Sequence, residues 1–469
     1  MTLVMFPGSM LLATLLFLAA LAVALGGGRR GLRALVVLAI VLAPLRGGLL
    51  EVADDLSLAH SGLTVNALVP VLVAALTIGC LVQRRPRLED FPRPLLIGWA
   101  LFAVAVALSF LAKTIGLKLY GIGVAQYLVY PTLALAIWPL LEPGDARRLT
   151  RLLAAMASVV AATVVIQAMG VEGFIQAASA QVDGLAANRY AGITGSYLHT
   201  SAFLGTTAVL VMGEFATAMG WRLRLAGTAL LALLLSGEVL TFSRSGVVIA
   251  MIGVVALFLF AVRGRRTAFA VLVVPAIAIA IASGAFAGVA PGAAGERVTS
   301  GFNPSGDPGN KLRSESFELG LTVFGEGTAV QKATGQGAAA TGNARQLVDD
   351  SAPQITVESY YLKLLVETGV LGLIAAGGFL VWAAIAFALA TWRPLDAWTA
   401  SVAAAGLGLS LYNAIYPALE TQILALVWWL LLVVCLKNGE RAEPLALWRA
   451  GRRESAPAAE PEKEGLLIG

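Results

Sequence analysis

Long runs of apolar residues recur along almost the whole chain, separated by short polar turns. Each run reaches or approaches the ~20 residues that an α-helix needs to cross a bilayer. The stronger runs are 7–25, 63–82, 95–112, 152–169, 202–219, 247–262, 267–287, 362–390 and 421–436, and the weaker ones are 32–50, 117–141, 225–242 and 397–416. This pattern predicts an all-α, polytopic integral membrane protein with about 12–13 transmembrane helices.

One polar interval interrupts the pattern and divides the chain. Residues 1–288 are predicted to hold transmembrane helices 1–10, and residues 289–360 to form one large loop that contains short helices. Residues 361–436 are predicted to hold helices 11–13. The remainder, 437–469, is charged and low in aromatic residues, which predicts a disordered cytoplasmic tail. A single large loop in a chain that is otherwise membrane-spanning is expected to have a functional role.

Composition and charge agree with this class. Of the 469 residues, 58% are hydrophobic and 13% are charged, and the mean hydropathy is +0.82, which is far from a soluble globular chain. Most of the 33 Lys and Arg residues lie in alternate loops, which should be cytoplasmic. The large loop is then outside, as is the N-terminus unless the first two segments form a shallow hairpin. The net charge of +5 is spread over short loops, so it indicates topology and not nucleic-acid binding.

Two basic residues on the predicted outer side lie at the mouths of helices. Arg244 lies in a very short turn between two predicted spans, and Arg189 lies shortly before another span. Two guanidinium groups facing one crevice would suit a pyrophosphate, because the planar group pairs bidentately with phosphate oxygens and stays charged in a low-dielectric site. The alternative is that each side chain only extends to lipid headgroups.

A few other polar residues fall within the apolar runs. Glu214 and Glu238 lie inside predicted spans, where a charged group is normally paired or faces a cavity. Glu238 is therefore either an ion-pair partner that holds Arg244 or a substrate contact. His199 is either a neutral hydrogen-bonding residue or part of a site. No metal-ligand spacing occurs, so we expect no metal and no cofactor.

The large loop has three kinds of sequence. Residues 291–310 are rich in Gly, Pro, Ser and Asn and predict irregular structure, whereas residues 311–325 have the periodicity of a helix that lies on the membrane surface or caps the crevice. Residues 325–343 return to Gly, Ala and Thr without periodicity, which predicts a mobile lid. Asp349 and Asp350 follow as candidate bases.

Four segments of the chain resemble the O-antigen ligase and polymerase superfamily. They occur in the order and context expected of that family, and the topology is similar as well. The segments are Arg189–Ser201, Thr241–Gly246, Arg313–Leu321 and Glu358–Gly372.

The resemblance implies about twelve spans, one large periplasmic loop and a bacterial inner-membrane location. It implies glycosyl transfer on the periplasmic side, with a glycan on undecaprenyl pyrophosphate as the donor. The arginines that correspond to Arg189 and Arg244 would engage the pyrophosphate. Further candidates for binding substrate or supporting the site are Arg313, His199, Glu238 and Tyr360. The implied partners are the lipid-linked oligosaccharide, membrane lipid and a chain-length regulator protein.

The chain departs from the family's ligases at one position. Those enzymes have a His-Asn pair with a catalytic His where this chain has Glu358 and Ser359. A positioned carboxylate can accept the proton of an attacking sugar hydroxyl, so Glu358 is the predicted base. Thr356 is predicted to cap the next helix and to place Glu358 in its first turn. The alternative is that Glu358 is an ordinary first-turn acid.

This substitution favours a polymerase over a ligase that moves the glycan to lipid A-core, and the ligase stays an alternative. A transporter or flippase for lipid-linked sugars is the rival from another class. It would show broken helices in matching halves of the chain and little need for a large outer loop.

Overall fold

A computed structural model describes residues 7–55, 61–112, 115–142, 144–170, 189–216, 220–258, 308–342, 357–392 and 396–439. Every regular element in these ranges is helical, which confirms the all-α class. The first ten helices are α1 (Pro7–Gly26), α2 (Gly28–Leu42), α3 (Arg46–Asp55), α4 (Ser61–Arg84), α5 (Arg93–Ser109), α6 (Leu117–Ile137), α7 (Asp145–Ala168), α8 (Tyr197–Ala216), α9 (Trp221–Leu240) and α10 (Arg244–Ala256). The next six are α11 (Pro308–Gly325), α12 (Ala329–Thr334), α13 (Tyr360–Gly372), α14 (Gly378–Trp392), α15 (Ala397–Tyr412) and α16 (Gln422–Gly439).

Several of these helices can cross a membrane. Among the described residues, 6 helical stretches are long and apolar enough, or 7 if the bent pair of α2 and α3 counts as one span. The 6 stretches are Val65–Arg84, Arg93–Ala112, Leu119–Leu140, Asp145–Ala168, Trp221–Leu240 and Tyr360–Trp392. The chain is therefore a multi-pass membrane protein. The total of 12–13 spans stays a prediction, because residues 259–307 lie outside the described residues, as does the predicted tail from residue 440 onward.

Helix α8 lies at the centre of the bundle. All of its residues from 200 to 213 are buried, and it packs against α7, α9, α10 and α15. Small residues let these helices approach closely, as is common within membranes. A Cβ atom added to Gly205 would lie 2.2 Å from the carbonyl oxygen of Gly246, and one added to Gly213 would lie 2.0 Å from Oγ of Ser401.

The two ends of the bundle carry different polar groups. At the end where α2 and α7 begin, Arg33 pairs with Asp145 at 2.7 Å, and Arg151 pairs with Glu214 at 2.5 Å. Of the two expectations for Glu214, paired or facing a cavity, the structure shows the pairing. We call this the basic end. We call the opposite end, where α8 and α13 begin and α11 packs on α13, the loop end.

Helix α13 is interrupted at Gly369, whose φ of 70° and ψ of −172° are not helical. A break of this kind leaves carbonyl groups of the preceding turn without helical partners. A segment of the large loop supplies the missing donors. The N–H groups of Gln336 and Gly337 donate to the carbonyl oxygens of Val366 and Glu367 at 2.9 and 3.0 Å. The loop is therefore joined to a membrane helix through backbone hydrogen bonds.

The large loop is more ordered than its sequence indicates. Helix α11 confirms the helix predicted over 311–325, but the mobile lid predicted over 325–343 is wrong for the described part, 325–342. Thr328 and Gln331 form a capping box that starts α12, and residues 338–341 are buried. Specific hydrogen bonds fix this segment, so it needs no hydrophobic periodicity.

Candidate active site at the loop end

The turn that precedes α8 carries Arg189. Gly192 and Gly195 adopt positive φ values of 60° and 74°, which side chains disfavour. The N–H of Gly192 donates to Oε1 of Gln167 at 2.8 Å, which anchors the turn on α7. The guanidinium of Arg189 lies over the ring of Tyr197, 4.7 Å from its centroid, and its Nε is buried without a hydrogen-bond partner in the described structure.

The turn between α9 and α10 carries Arg244. Phe242 is buried there with a φ of 50°, a left-handed conformation that costs about 1–3 kcal/mol in a residue with a side chain. Ser243 caps α10, because its side chain accepts a hydrogen bond from the N–H of Ser245. Arg244 is the first helical residue and is half-buried. The strained turn thus presents the arginine at the loop end.

The first turns of α8 hold the Arg244 turn in place through Ser201. Its hydroxyl donates to Oε1 of Glu238 at 2.6 Å and accepts from the N–H of Gly246 at 2.8 Å and from Oγ of Ser245 at 2.9 Å. Glu238 therefore bonds to this serine and not to Arg244, which decides against a direct ion pair. It supports the turn indirectly, since one hydroxyl joins the buried carboxylate to the start of α10.

Two stacked tyrosines lie beside these turns. The rings of Tyr412 and Tyr416 are 5.3 Å apart and inclined by 22°, and the hydroxyl of Tyr416 hydrogen-bonds Nε2 of His199 at 3.1 Å. Tyr412 is buried and interacts with the side chain of Ser245, the residue after Arg244. Burial raises the pKa of the Tyr416 hydroxyl well above its ordinary value, and the carboxylates of Glu420 and Glu358 add to this effect.

Helix α11 brings Arg313 to Glu358. Nε of Arg313 donates to Oε2 of Glu358 at 3.2 Å, and the backbone N–H of Glu358 donates to Oγ of Ser316 at 2.9 Å. Both side chains are partly exposed, Arg313 at 39% and Glu358 at 31%. Both also interact electrostatically with Tyr412. The pair is thus fixed at two points and lies next to the stacked tyrosines.

The predicted start of α13 is wrong by three residues. The capping residue is Ser359, whose side chain accepts a hydrogen bond from the N–H of Leu362, and the helix begins at Tyr360. Thr356 lies outside the described residues. Glu358 therefore precedes the cap and does not occupy the first helical turn. In this position its carboxylate accepts the hydrogen bond from Nε of Arg313.

Most of the predicted site residues are brought together at the loop end. Tyr416 lies within electrostatic range of both Tyr197 and Glu358, so it stands between the Arg189 turn and the Arg313–Glu358 pair. The two arginine turns also touch, because the N–H of Tyr190 donates to the carbonyl oxygen of Leu240 at 3.3 Å. We call this group the arginine site; around the two stacked tyrosines it contains Arg189, His199, Glu238, Arg244, Arg313 and Glu358.

Tyr360 belongs to a different group, which sequence reasoning missed. Its ring lies 6.3 Å from that of Tyr127 on α6, and the hydroxyl of Tyr127 donates to Oε2 of Glu367 at 2.8 Å. Glu367 is fully buried, and so is nearly all of Lys363, which donates to Oε1 of Glu367 at 2.7 Å. We call this group the Glu367 cluster; its members are Tyr127, Thr341, Tyr360, Lys363, Glu367 and Glu420.

The Glu367 cluster holds the large loop. Glu367 also accepts hydrogen bonds from the N–H of Ala339 at 2.9 Å and from the N–H and hydroxyl of Thr341 at 2.9 and 2.6 Å. Lys363 reaches Oε1 of Glu420 at 3.5 Å. Burial raises the pKa of the Glu420 carboxyl, and Lys363 acts in the opposite direction. The Lys363 and Glu367 pair at spacing i,i+4 was the one signal of this cluster in the sequence.

Arg46 is a second residue that the sequence-based site omitted. It is the first residue of α3, and its Nε donates to Oδ1 of Asn66 at 2.7 Å. It interacts electrostatically with His199 and so reaches the edge of the arginine site. As for metals, no group of three or more His, Cys, Asp and Glu side chains that could hold an ion occurs among the described residues. Asp349 and Asp350 lie outside them.

No model of a known protein family matches this chain, and no curated protein has a sequence that matches it. Fold and composition therefore establish a multi-pass, all-helical membrane protein, and a more specific function must be argued from the arginine site itself.

Proposed function

We propose that this protein is a glycosyltransferase of the bacterial inner membrane that extends a glycan carried on undecaprenyl pyrophosphate, with the loop end on the periplasmic side. The observation that carries the proposal is the arginine site. Two touching turns that carry Arg189 and Arg244 and an arginine–carboxylate pair from the large loop lie around one pair of stacked tyrosines. Pyrophosphate recognition and proton abstraction are the two tasks that such a transferase requires.

Arg189 and Arg244 are assigned to the pyrophosphate. The described structure contains no ion pair between Arg189 and a carboxylate, and its guanidinium is held from one side by the ring of Tyr197. That leaves its N–H donors for a doubly charged lipid phosphate, which accepts bidentate bonds well. Arg244 stands at the start of α10, where the helix dipole also favours an anion.

Glu358 is assigned as the base. In the proposed reaction the hydroxyl oxygen of an acceptor sugar attacks the anomeric carbon of the donor glycan and forms the new glycosidic bond. The bond from that carbon to the pyrophosphate oxygen breaks with its electron pair, and undecaprenyl pyrophosphate leaves. The hydroxyl proton moves to the carboxylate of Glu358, which Arg313 orients. The leaving group is already activated, so the proposal assigns no metal ion and no other cofactor.

Two alternatives to this function are a ligase and a transporter. A ligase that transfers the glycan to lipid A-core would use the same donor, but the Glu358 and Ser359 pair replaces the His-Asn pair of the family's ligases. Transport of lipid-linked sugars draws support from the 80° bend between α2 and α3 and from the break in α13. Against transport, the carbonyl groups freed at the second break are bonded by the large loop and do not line a path.

The experiment uses the full-length protein purified in detergent with lipid-linked oligosaccharide from cells that carry it, and measures glycan length by gel electrophoresis. Longer glycans are expected from the wild type and from Arg222→Gln, a control at the basic end. Glu358→Gln and Arg244→Lys should yield little product. Equal product lengths from all four proteins would contradict the proposed mechanism.

Two further measurements separate the alternatives. Transfer that occurs only to added lipid A-core would identify a ligase. If no acceptor yields product, and the oligosaccharide instead crosses the bilayer of vesicles that contain the protein, the function is transport.

A further inference from the structure

The bend between α2 and α3 places Arg46 next to the arginine site. The two helices meet at 80°, and Arg46 is the first residue after the bend. The following residue touches the Arg189 turn: a Cβ atom added to Gly47 would lie 2.2 Å from the backbone nitrogen of Gly195. This close approach holds Arg46 beside the start of α8, within electrostatic range of His199.

The guanidinium of Arg46 is held by a neutral partner. Its Nε donates to the side chain of Asn66 at 2.7 Å, and the carbonyl oxygen of Asn66 is itself bonded by Nε2 of Gln422 at 2.7 Å. No carboxylate forms an ion pair with Arg46 in the described parts of the chain. An arginine has five N–H donors, so one neutral contact leaves most of them for another acceptor. A half-buried cation without a carboxylate is costly within a membrane protein and is typical of a functional site.

The neighbours of Arg46 also have unused hydrogen-bonding capacity. Tyr130 on α6 is only 4% exposed, and its hydroxyl has no hydrogen-bond partner among the described residues. It interacts electrostatically with Arg46. One turn earlier on α6, Oε1 of Gln126 is buried and likewise without a partner in the described structure. Buried polar groups are normally bonded, so an unbonded hydroxyl next to an unneutralised guanidinium indicates a ligand.

We propose that Arg46, with Tyr130 and His199 beside it, binds a phosphate group of the lipid pyrophosphate at a position deeper than Arg189. This inference rests on the proposed function and adds a third guanidinium to the anion site. Two phosphates linked together carry more negative charge than one, and an additional arginine would let the protein distinguish a lipid pyrophosphate from a lipid monophosphate. Arg46 would thus set specificity for the donor.

Binding to the full-length protein in detergent tests this inference, with native mass spectrometry as the readout. The probes are undecaprenyl pyrophosphate, undecaprenyl phosphate and phosphatidylglycerol. Arg46→Gln should weaken binding of the pyrophosphate about tenfold, the loss expected for one hydrogen-bonded charged group, and should weaken binding of the monophosphate less. Arg46→Lys should lose less affinity than Arg46→Gln, because it keeps the charge. Arg222→Gln is the matched control and should bind as the wild type does.

Tyr130→Phe keeps the inference testable if the Arg46 variants do not fold. It removes one hydroxyl and should weaken pyrophosphate binding about threefold. Unchanged pyrophosphate affinity in folded Arg46 variants, or in Tyr130→Phe if they do not fold, would overturn the inference. A loss confined to phosphatidylglycerol would also overturn it, because the anion would then be a phospholipid headgroup.

The same binding measurements distinguish failure of this inference from failure of the proposed function. If Arg189→Gln and Arg244→Lys lose pyrophosphate affinity while the Arg46 variants keep it, only the present inference fails. If the wild type and all variants bind the pyrophosphate no better than phosphatidylglycerol, the proposed function fails as well.

Discussion

The arginine site and the Glu367 cluster lie at the same end of the bundle and contain similar residue types, yet they differ in how their polar groups are bonded. In the Glu367 cluster a single carboxylate accepts hydrogen bonds from Tyr127, Ala339, Thr341 and Lys363. In the arginine site Nε of Arg189 is buried without a hydrogen-bond partner among the described residues, and its guanidinium lies over the ring of Tyr197 instead of a carboxylate.

This difference distinguishes residues that stabilise the fold from residues that bind a ligand. Buried polar networks rigidify a fold when every member is bonded, whereas groups left unbonded need a ligand or another explanation. Residue type alone would not separate the two groups, because each contains cations, carboxylates and tyrosines. We therefore expect substitutions in the Glu367 cluster to unfold the protein and those in the arginine site to impair function in a folded protein.

The largest effect is expected from Glu367→Ala. Removing this carboxylate leaves the ammonium of Lys363 buried and frees the loop segment at 338–341, at a cost of about 3–5 kcal/mol. The apparent melting temperature in detergent measures it, with the exposed Glu326→Ala as the control. The double variant Lys363→Met, Glu367→Leu should recover only the part of the loss that comes from the buried ammonium, because the donors of Tyr127, Ala339 and Thr341 still lack their acceptor. A melting temperature like that of the wild type for Glu367→Ala would show that the cluster is not structural.

Glu358→Gln should have the largest effect on activity. Loss of a general base lowers turnover by about 100-fold or more, whereas loss of a partly exposed ion pair changes stability by no more than about 1 kcal/mol. Initial rates of glycan extension and the melting temperature are measured together, with Glu315→Gln on α11 as the control. Near-normal rates would remove Glu358 from the catalytic role.

Gly369→Ala tests the junction between the loop and α13. Its backbone conformation is nearly exclusive to glycine, and an added Cβ would lie 2.4 Å from the carbonyl oxygen of Ala333. We expect a loss of about 1–3 kcal/mol and faster proteolysis within 335–341. Gly378→Ala is the matched control, because Gly378 is helical and a Cβ there meets no atom within 4 Å. Equal melting and cleavage of the two variants would contradict this account.

Arg189→Gln should give the smallest of these effects in free energy. Binding of undecaprenyl pyrophosphate should weaken about tenfold, the loss of one charge-assisted hydrogen bond. The melting temperature should stay within the error of the wild-type value, since no ion pair is broken among the described residues. Arg189→Lys should lie in between. A large drop in stability with unchanged binding would move Arg189 to the structural group.

The sequence was sufficient for some of these features because they depend on local pattern. Apolar runs of membrane-spanning length predicted the helices, and α11 follows from its own periodicity. Arg189 and Arg244 were identified because basic residues at the mouths of predicted spans are unusual on that side. These signals lie within a few residues of the features they predict.

Other features depend on contacts between distant segments and could not be predicted. Residues 336–341 lack periodicity and were predicted to be mobile, but they are fixed by backbone groups and a carboxylate of α13. Nothing in the sequence near Arg46 distinguishes it, and only the bend between α2 and α3 places it at the edge of the arginine site. Thr356 and Ser359 are both capable caps by type, and the structure decides for Ser359.

The break in α13 determines which parts of the chain can be exchanged with a related protein. Because the backbone groups of 336–337 complete the hydrogen bonding of Val366 and Glu367, the large loop is not an independent cassette on a membrane scaffold. A chimera that replaces the loop alone would bring unmatched partners to the broken turn. The smallest exchangeable module runs from α12 through Gly372, and it takes part of a membrane helix with it.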